Sequence, residues 1–336
     1  MSTTEVQTAI TTEHQLGRCV YMEPDTSADP WASDYYVPAP PKSVLAHDNV
    51  LHDIRPKIFQ DPSPFSLETH AFAVVKHKSI LHSPPYSKKS FFSEETITDV
   101  YTPEVISLVK SVTGAKDVVI ITTSVRSKDV VPPVKGAKRA PAADVSKWDM
   151  KGPMMSGLGD ENSRLQPLRL VHIDYNAESA RIMLRNFNPE VWGAAKDVIE
   201  AEDEAEASGT EYKGRRYAFY SVWRPLKLVT KDPLAVCDPN SIDRERDLEY
   251  GSLKRPSLKG DYVAGISMVK GAKAESQKWY WIKEQKEDEV YFLQFFDNFA
   301  ENEGRPLGVP HCSPELLGFE GGETRESVET RVIAFW

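Results

Sequence analysis

The second half of the chain is a series of short runs rich in β-branched and aromatic residues, each of strand length and too short for a helix. They are Tyr217–Trp223, Leu234–Cys237, Trp279–Ile282, Val290–Phe296 and Val328–Phe335, with turn-forming residues between them. Short strands bounded in this way stack into a β-sandwich or jelly roll. Upstream, Asp117-Val118-Val119-Ile120-Ile121-Thr122-Thr123 is a further β-branched strand, and LRLVHIDYN from Leu168 alternates like one. Helical periodicity is confined to three places: a stretch opened by Ser93-Glu94-Glu95 and reaching about Val112, a short segment from Ala177 to about Leu184, and an acidic segment begun by Asn188-Pro189-Glu190. The class expected is therefore α+β, strands at the core with helices on the flanks.

The N-terminal part is less regular. Residues 1–15 are Thr-rich and without periodicity, so a disordered N-terminus is expected there. Residues 16–164 read as an extension that supports the core formed by residues 165–336, the two together making one domain. Residues 126–157 include the Pro/Gly/Ala/Lys-rich PPVKGAKRAPAADVSKWDMKGPMM, read as a long surface loop beside a site. A formal charge of −9 argues against general nucleic-acid binding. No basic n-region with an apolar h-region opens the chain, and no run approaches the roughly 18 apolar residues of a membrane span, so a soluble, cytoplasmic protein is expected. Three well-separated cysteines, Cys19, Cys237 and Cys312, suit reduced thiols better than a disulfide framework or a zinc knuckle.

The chain contains no GxSxG elbow, no phosphate-binding GxxxxGK[ST] loop, no GxGxxG and no HExxH. What it does contain is His172-Ile173-Asp174. In a strand, residues i and i+2 project from one face, so this His and Asp can ligate one metal together. A distant second histidine would complete a 2-His-1-carboxylate facial triad with positions left open for oxygen and a chelating co-substrate. His311, in GVPHCSP, is placed for that role, because the six histidines other than His172 and His311 all fall in the first quarter of the chain. With 8 His and 50 acidic residues, about one H-x-[DE] is expected by chance, so the spacing gains its weight from lying in a strand pattern. Near the C-terminus, Arg325, Ser327 and Arg331 share strand parity and face one side, with Ile333 and Phe335 as an apolar wall. An Arg fork with a hydroxyl two residues on is the geometry that holds the far carboxylate of a dicarboxylate.

The segments FYSVWRPLKLV, PLAVCD, SQKWYWIKEQKEDEVYFLQFFD, VPHCSPEL and TRESVETRVIAF, in that order, resemble a fungal family of hydroxylases and desaturases of secondary metabolism, gibberellin-desaturase-like and similar to a cephamycin hydroxylase component. The resemblance covers roughly residues 165–336. It implies a double-stranded β-helix (jelly roll, cupin-like) core and iron(II)/2-oxoglutarate chemistry with O2. It implies His172, Asp174 and His311 as metal ligands, and Arg325 with Ser327 as the 2-oxoglutarate clamp. Cys312-Ser313 follows the distal histidine where the family usually has Ala-Phe, so the substrate does not carry over. Such an enzyme would hydroxylate, desaturate or cyclise a small substrate at an unactivated C–H bond, and a small amino acid, valine going to an aziridine carboxylate, would suit the wall of Ile333 and Phe335. Arg224, Arg331 and Lys135 are the candidate cations for a substrate carboxylate; Tyr175, Trp223 and Phe335 could line the apolar side. Two other readings stand beside this one: a zinc-dependent cupin-like hydrolase or isomerase on the same three residues, and a non-catalytic binding subunit of the same fold.

Overall fold

The computed structural model describes residues 15–37, 41–130, 145, 148–319 and 321–336. Along them run β1 (Gln15–Glu23), β2 (Ser43–Asp53), β3 (Phe72–Lys76), β4 (Asp117–Arg126), β5 (Met154–Ser156), β6 (His172–Ile173), β7 (Tyr217–Pro225) and β8 (Ala235–Cys237). They are followed by β9 (Leu248–Arg255), β10 (Tyr262–Val269), β11 (Trp279–Trp281), β12 (Glu289–Asp297), β13 (His311–Cys312), β14 (Glu315–Leu316) and β15 (Ser327–Phe335). These strands form a nine-stranded sheet, ordered β14-β1-β2-β11-β8-β13-β6-β10-β9, and a six-stranded sheet, ordered β3-β12-β7-β15-β4-β5. The chain crosses repeatedly between the two. Within them, β6-β13-β8-β11 lies in one sheet and β4-β15-β7-β12 in the other, so strands distant in sequence become neighbours.

The strands β7, β12 and β15 lie in the interior of the six-stranded sheet, and nearly every residue in them is buried. Their aromatic and β-branched composition follows from covering both faces at once. On the inner face, Phe219, Trp223, Leu293 and Ile333 join Val236, Tyr280 and Ala264 of the opposing sheet in the largest apolar cluster. On the outer face, Val222, Phe292, Val332 and Ala334 meet Val105, Leu108 and Val109 of the helix Thr102–Thr113. The odd residues of β15 thus face inward and the even ones outward, in line with the parity read from the sequence.

That alternation corrects one expectation. Arg224 sits on the even, outward side of β7, away from His172 and Asp174, and cannot serve a ligand between the sheets. It is fully buried. Its guanidinium donates to the carbonyls of His77 and Glu287 and to His77 Nδ1, and stands 3.7 Å from Glu104. It is a structural ion-pair centre between the sheet and the segment leading into the helix.

Other differences are local. The alternating LRLVHIDYN contributes only the two-residue β6 and a bridge between Leu170 and Val20: its neighbour β13 is itself two residues long, and β10 pairs with it only at His172 and Ile173. The helix expected over 93–112 is broken into Glu94–Thr96, a π-helical turn Ile97–Tyr101, and Thr102–Thr113 with Pro103 near its start. Two hairpins were not legible, β1–β2 and β9–β10, because strands such as LEYGSLKR carry Gly, Ser and Lys on a half-exposed face. The first hairpin begins at Gln15 and pairs through β2 with β11, so residues before 165 take part in the same sheets as those after it. Three cysteines are free and buried, with Cys312 Sγ 3.5 Å from Cys19 Sγ on the face of β13 that points away from the triad. No helix among the described residues is long and apolar enough to cross a membrane. The Lys135 expectation lies outside the described residues.

Because Arg224 closes a buried network, Arg224→Met is expected to destabilise the protein by about 3–5 kcal/mol. Urea unfolding should show the loss, while iron(II) affinity of the folded protein stays at the wild-type value.

Candidate metal centre

His172 and His311 are direct cross-strand partners in antiparallel β6 and β13. Opposed residues put their side chains on one face, and here the ring centroids are 4.5 Å apart. Asp174 follows two residues after His172. The three residues are buried, and one ligand atom from each lies within 4.8 Å of the others. The chain leaves the site sharply: Asn176 caps the helix Ala177–Asn186, its side chain accepting from the Ser179 amide at 2.6 Å.

Each imidazole is held by a backbone carbonyl. His172 Nδ1 is 2.8 Å from the Leu170 oxygen and His311 Nδ1 is 3.2 Å from that of Val309. A carbonyl can only accept, so Nδ1 carries the proton and the Nε2 lone pairs are left for a metal. Both Nε2 atoms face the Asp174 carboxylate, at 3.5 and 3.9 Å. Burial, and after it the neighbouring His172, pushes the His311 imidazole down to about 4, which keeps it neutral and able to ligate. Burial alone would raise the Asp174 carboxyl. Arg331 chiefly, then His172 and His311, outweigh it and hold the group well below the usual carboxylate range. Arg331 Nε stands 3.1 Å from Asp174 Oδ2 and 3.2 Å from Glu329 Oε1, so this guanidinium bridges two buried acids.

The loop into His311 depends on a glycine. A Cβ on Gly308 would come within 2.5 Å of the Phe295 carbonyl oxygen and 2.9 Å of Ile173 Cγ2. Only a bare backbone lets Val309 present its carbonyl to His311 from there.

The triad histidines share a narrow cavity with Arg126, Trp223, Ser313, Arg325, Glu329 and Arg331. Arg325 is buried; its Nη1 donates to the Asp232 carbonyl (2.9 Å) and to Ser313 Oγ (3.1 Å), while Trp223 lies 5.4 Å away under its plane. Asp232 makes this contact from a left-handed backbone, φ 52°, a strained state that costs on the order of 1–3 kcal/mol. Burial and the charge of Arg126 push the Arg325 guanidinium down to about 9. Arg325 Nε and Ser327 Oγ are both buried with no hydrogen-bond partner. Unused donors beside an uncompensated cation are what a carboxylate would satisfy. Across the strand, Arg126 is paired with Ser327 on the same face and donates to the Gln166 carbonyl.

A family model described as an oxidoreductase/YMDC permease-like domain matches residues 20–335. The gibberellin cluster GA4 desaturase of Gibberella fujikuroi is 36% identical, over 84% of this chain and 85% of its own length. The chain belongs to this family of fungal hydroxylases and desaturases. Other relatives are the oxidoreductase chry3 of Gibberella zeae, 30% identical over 98% of this chain and 100% of its own, and the alpha-ketoglutarate-dependent dioxygenase tstK of Talaromyces stipitatus, 27% identical over 91% of each. Among solved structures, the iron and alpha-ketoglutarate-dependent endoperoxidase NvfI superposes with a TM-score of 0.65 over 97% of this chain and 99% of its own, at 21% identity, which speaks for the fold.

The structure brings His172, Asp174 and His311 together and sets Arg325, Arg331 and Trp223 around the cavity of the two histidines, with Ser327 buried two residues along the strand from Arg325. Tyr175 packs against Phe219 and Phe295, next to Asp174. Ile333 pairs with Phe219; Phe335 lies two pairs further along, against Tyr217 and beneath Arg215. Sequence reasoning missed Glu329, Arg126 and Asp232. Glu329 was findable, since it shares parity with Arg325, Ser327 and Arg331, and Arg126 is the lone cation closing an otherwise uncharged run. Asp232 acts through its backbone and leaves no signature in the sequence.

A Gly308→Ala variant is expected to weaken iron(II) binding about 10–100-fold by displacing the carbonyl that orients His311, and His311→Ala to abolish measurable binding. Anaerobic equilibrium dialysis of iron(II) checks both.

Proposed function

We propose that this protein is an iron(II)/2-oxoglutarate-dependent oxygenase, built on a double-stranded β-helix, that oxidises an unactivated C–H bond of a small molecule. The observation that carries the reading is a buried His172/Asp174/His311 triad whose two histidines share a cavity with the buried Arg325, the Arg325 Nε and the nearby Ser327 Oγ being left without partners. The strand orders β6-β13-β8-β11 and β4-β15-β7-β12 support the fold name, being one run of four strands in each sheet, with the chain crossing repeatedly between them.

The two imidazole Nε2 atoms and the Asp174 carboxylate would hold iron(II), and Arg325 with Ser327 would hold the distal carboxylate of 2-oxoglutarate. When bound, metal, co-substrate and O2 together supply the oxidation of a C–H bond, with succinate and carbon dioxide released. The chain's own part is placement. Leu170 and Val309 fix the imidazole tautomers, Arg331 keeps Asp174 ionised and oriented, and Trp223 shields the Arg325 guanidinium from water, which strengthens its grip on an anion. Glu329 balances Arg331 and Arg126, so the cavity is not a bare cluster of cations. We propose that the substrate lies toward Tyr175, Phe219 and Ile333; a small amino acid such as valine, closing to an aziridine carboxylate, is compatible with that apolar wall.

A zinc hydrolase using the same three ligands would have no need of Arg325. Anaerobic titration of the apo-protein with iron(II) and 2-oxoglutarate should therefore give a weak visible charge-transfer band. Arg325→Ala should raise the 2-oxoglutarate concentration required by about 100-fold, the loss of one charge-assisted anchor. A band unaffected by Arg325→Ala would contradict this assignment of the clamp, and the absence of any band, with tight zinc binding instead, would favour the hydrolase.

A further inference from the structure

Arg255 closes strand β9 with its side chain turned inward, opposite Tyr262 of β10, and only 7% of its surface is exposed. A buried guanidinium normally finds a carboxylate or several carbonyls, because leaving it unpaired costs several kcal/mol. Arg224 has carbonyls and Glu104, and Arg331 has Asp174 and Glu329. Among the described residues Arg255 has no ion-pair partner, and its Nε has no hydrogen-bond partner. What surrounds it is aromatic: the ring centroids of Tyr36 and Tyr175 lie 5.0 and 5.6 Å from the guanidinium carbon.

The enclosure is itself under tension. Tyr36 adopts a left-handed backbone, φ 59°, which a bulky side chain takes only when its surroundings force it. Its amide is tied to the Lys254 carbonyl at 3.0 Å, its ring meets that of Trp148 at 5.5 Å, and its hydroxyl reaches Met154 Sδ at 3.0 Å. Strain of this kind gathers at ligand clamps. The position is also one residue removed from the metal site. Tyr175 directly follows the metal ligand Asp174, and the charge of Arg331 bears on Arg255. Yet Arg255 does not line the narrow cavity in which Arg325 meets the two triad histidines, so it is not a second hold on the co-substrate.

We propose that Arg255 anchors a carboxylate of the substrate, which makes the molecule oxidised here a carboxylic acid. The inference rests on the oxygenase reading above. A single planar guanidinium fork matches a carboxylate in shape and in charge, whereas a phosphate dianion would call for a second cation. With Arg331 neutralised by two acids, Arg325 assigned to 2-oxoglutarate, and Arg126 opposite Ser327 at that same co-substrate end, Arg255 is the buried cation left to receive a substrate acid group. The faces of Tyr36 and Tyr175 would then keep water from the ion pair and strengthen it.

The test uses iron(II)-loaded full-length protein with 2-oxoglutarate and O2, and reads the succinate released when small molecules are added. The panel consists of amino acids, straight-chain fatty acids and aryl acids, each beside its primary amide. At least one acid should stimulate release and its amide should not. In Arg255→Gln the half-saturating concentration of that acid should rise on the order of 30-fold or more, and Arg255→Lys should recover part of the loss. The visible band with 2-oxoglutarate should require the same co-substrate concentration in both variants as in the wild type, which shows that the variants are folded and that the co-substrate site is intact. Equal stimulation by an acid and its amide, no acid stimulating at all, or an unchanged half-saturation in Arg255→Gln would overturn the proposal while the visible band kept the oxygenase reading standing. Absence of the band in the wild type would instead remove the oxygenase reading, and this inference with it.

Discussion

The site depends on keeping Asp174 ionised where water does not reach it. Desolvation works against the charge, and the chain answers with Arg331 on one side and two imidazoles on the other. That arrangement fixes much else. Arg331 can reach Asp174 only because β15 runs beside β7 in the sheet facing β6, and the two histidines can flank the carboxylate only because β13 pairs with β6 in register. The repeated crossing of the chain between the sheets is thus the means by which residues from three distant parts of the sequence come to share one charge problem.

The same logic orders the remaining charges. Arg126, Arg325 and Arg331 crowd one cavity, and Glu329 is the acid that makes their company tolerable. Arg325 has no ion-pair partner among the described residues: it is held by a carbonyl and a hydroxyl, and burial, then the charge of Arg126, drives it down. A buried cation kept short of anions favours an anionic ligand over water, and the degree of shortage distinguishes the co-substrate end of the cavity from the end near the metal.

Much of this was legible in the sequence, for a physical reason. Period-two alternation in β15 placed Arg325, Ser327 and Arg331 on one face, and the same rule joined His172 to Asp174; both hold because strand geometry is rigid over a few residues. The interior strands were visible because burial on both faces demands apolar runs. What escaped depends on partners. The β1–β2 and β9–β10 hairpins are half-exposed and carry ordinary surface residues, so nothing local marks them, and Arg255 was lost with the second. Arg224 shows the reverse error: it belongs to a family word and sits three residues from Ser221, which meets the site acid Glu329, yet parity alone puts it on the outer face. The Asp232 contact is made through backbone, which composition cannot reveal.

Proximity also leaves one rival ligand to separate from the triad, since Cys312 follows His311 directly but turns toward Cys19 on the opposite face. X-ray absorption at the iron edge of the anaerobic iron(II)-loaded protein addresses the coordination itself. Two imidazole scatterers are expected, with the remaining positions filled by oxygen, and more oxygen chelation when 2-oxoglutarate is added. A sulfur scatterer near about 2.3 Å, or a shell without imidazole, would contradict that coordination.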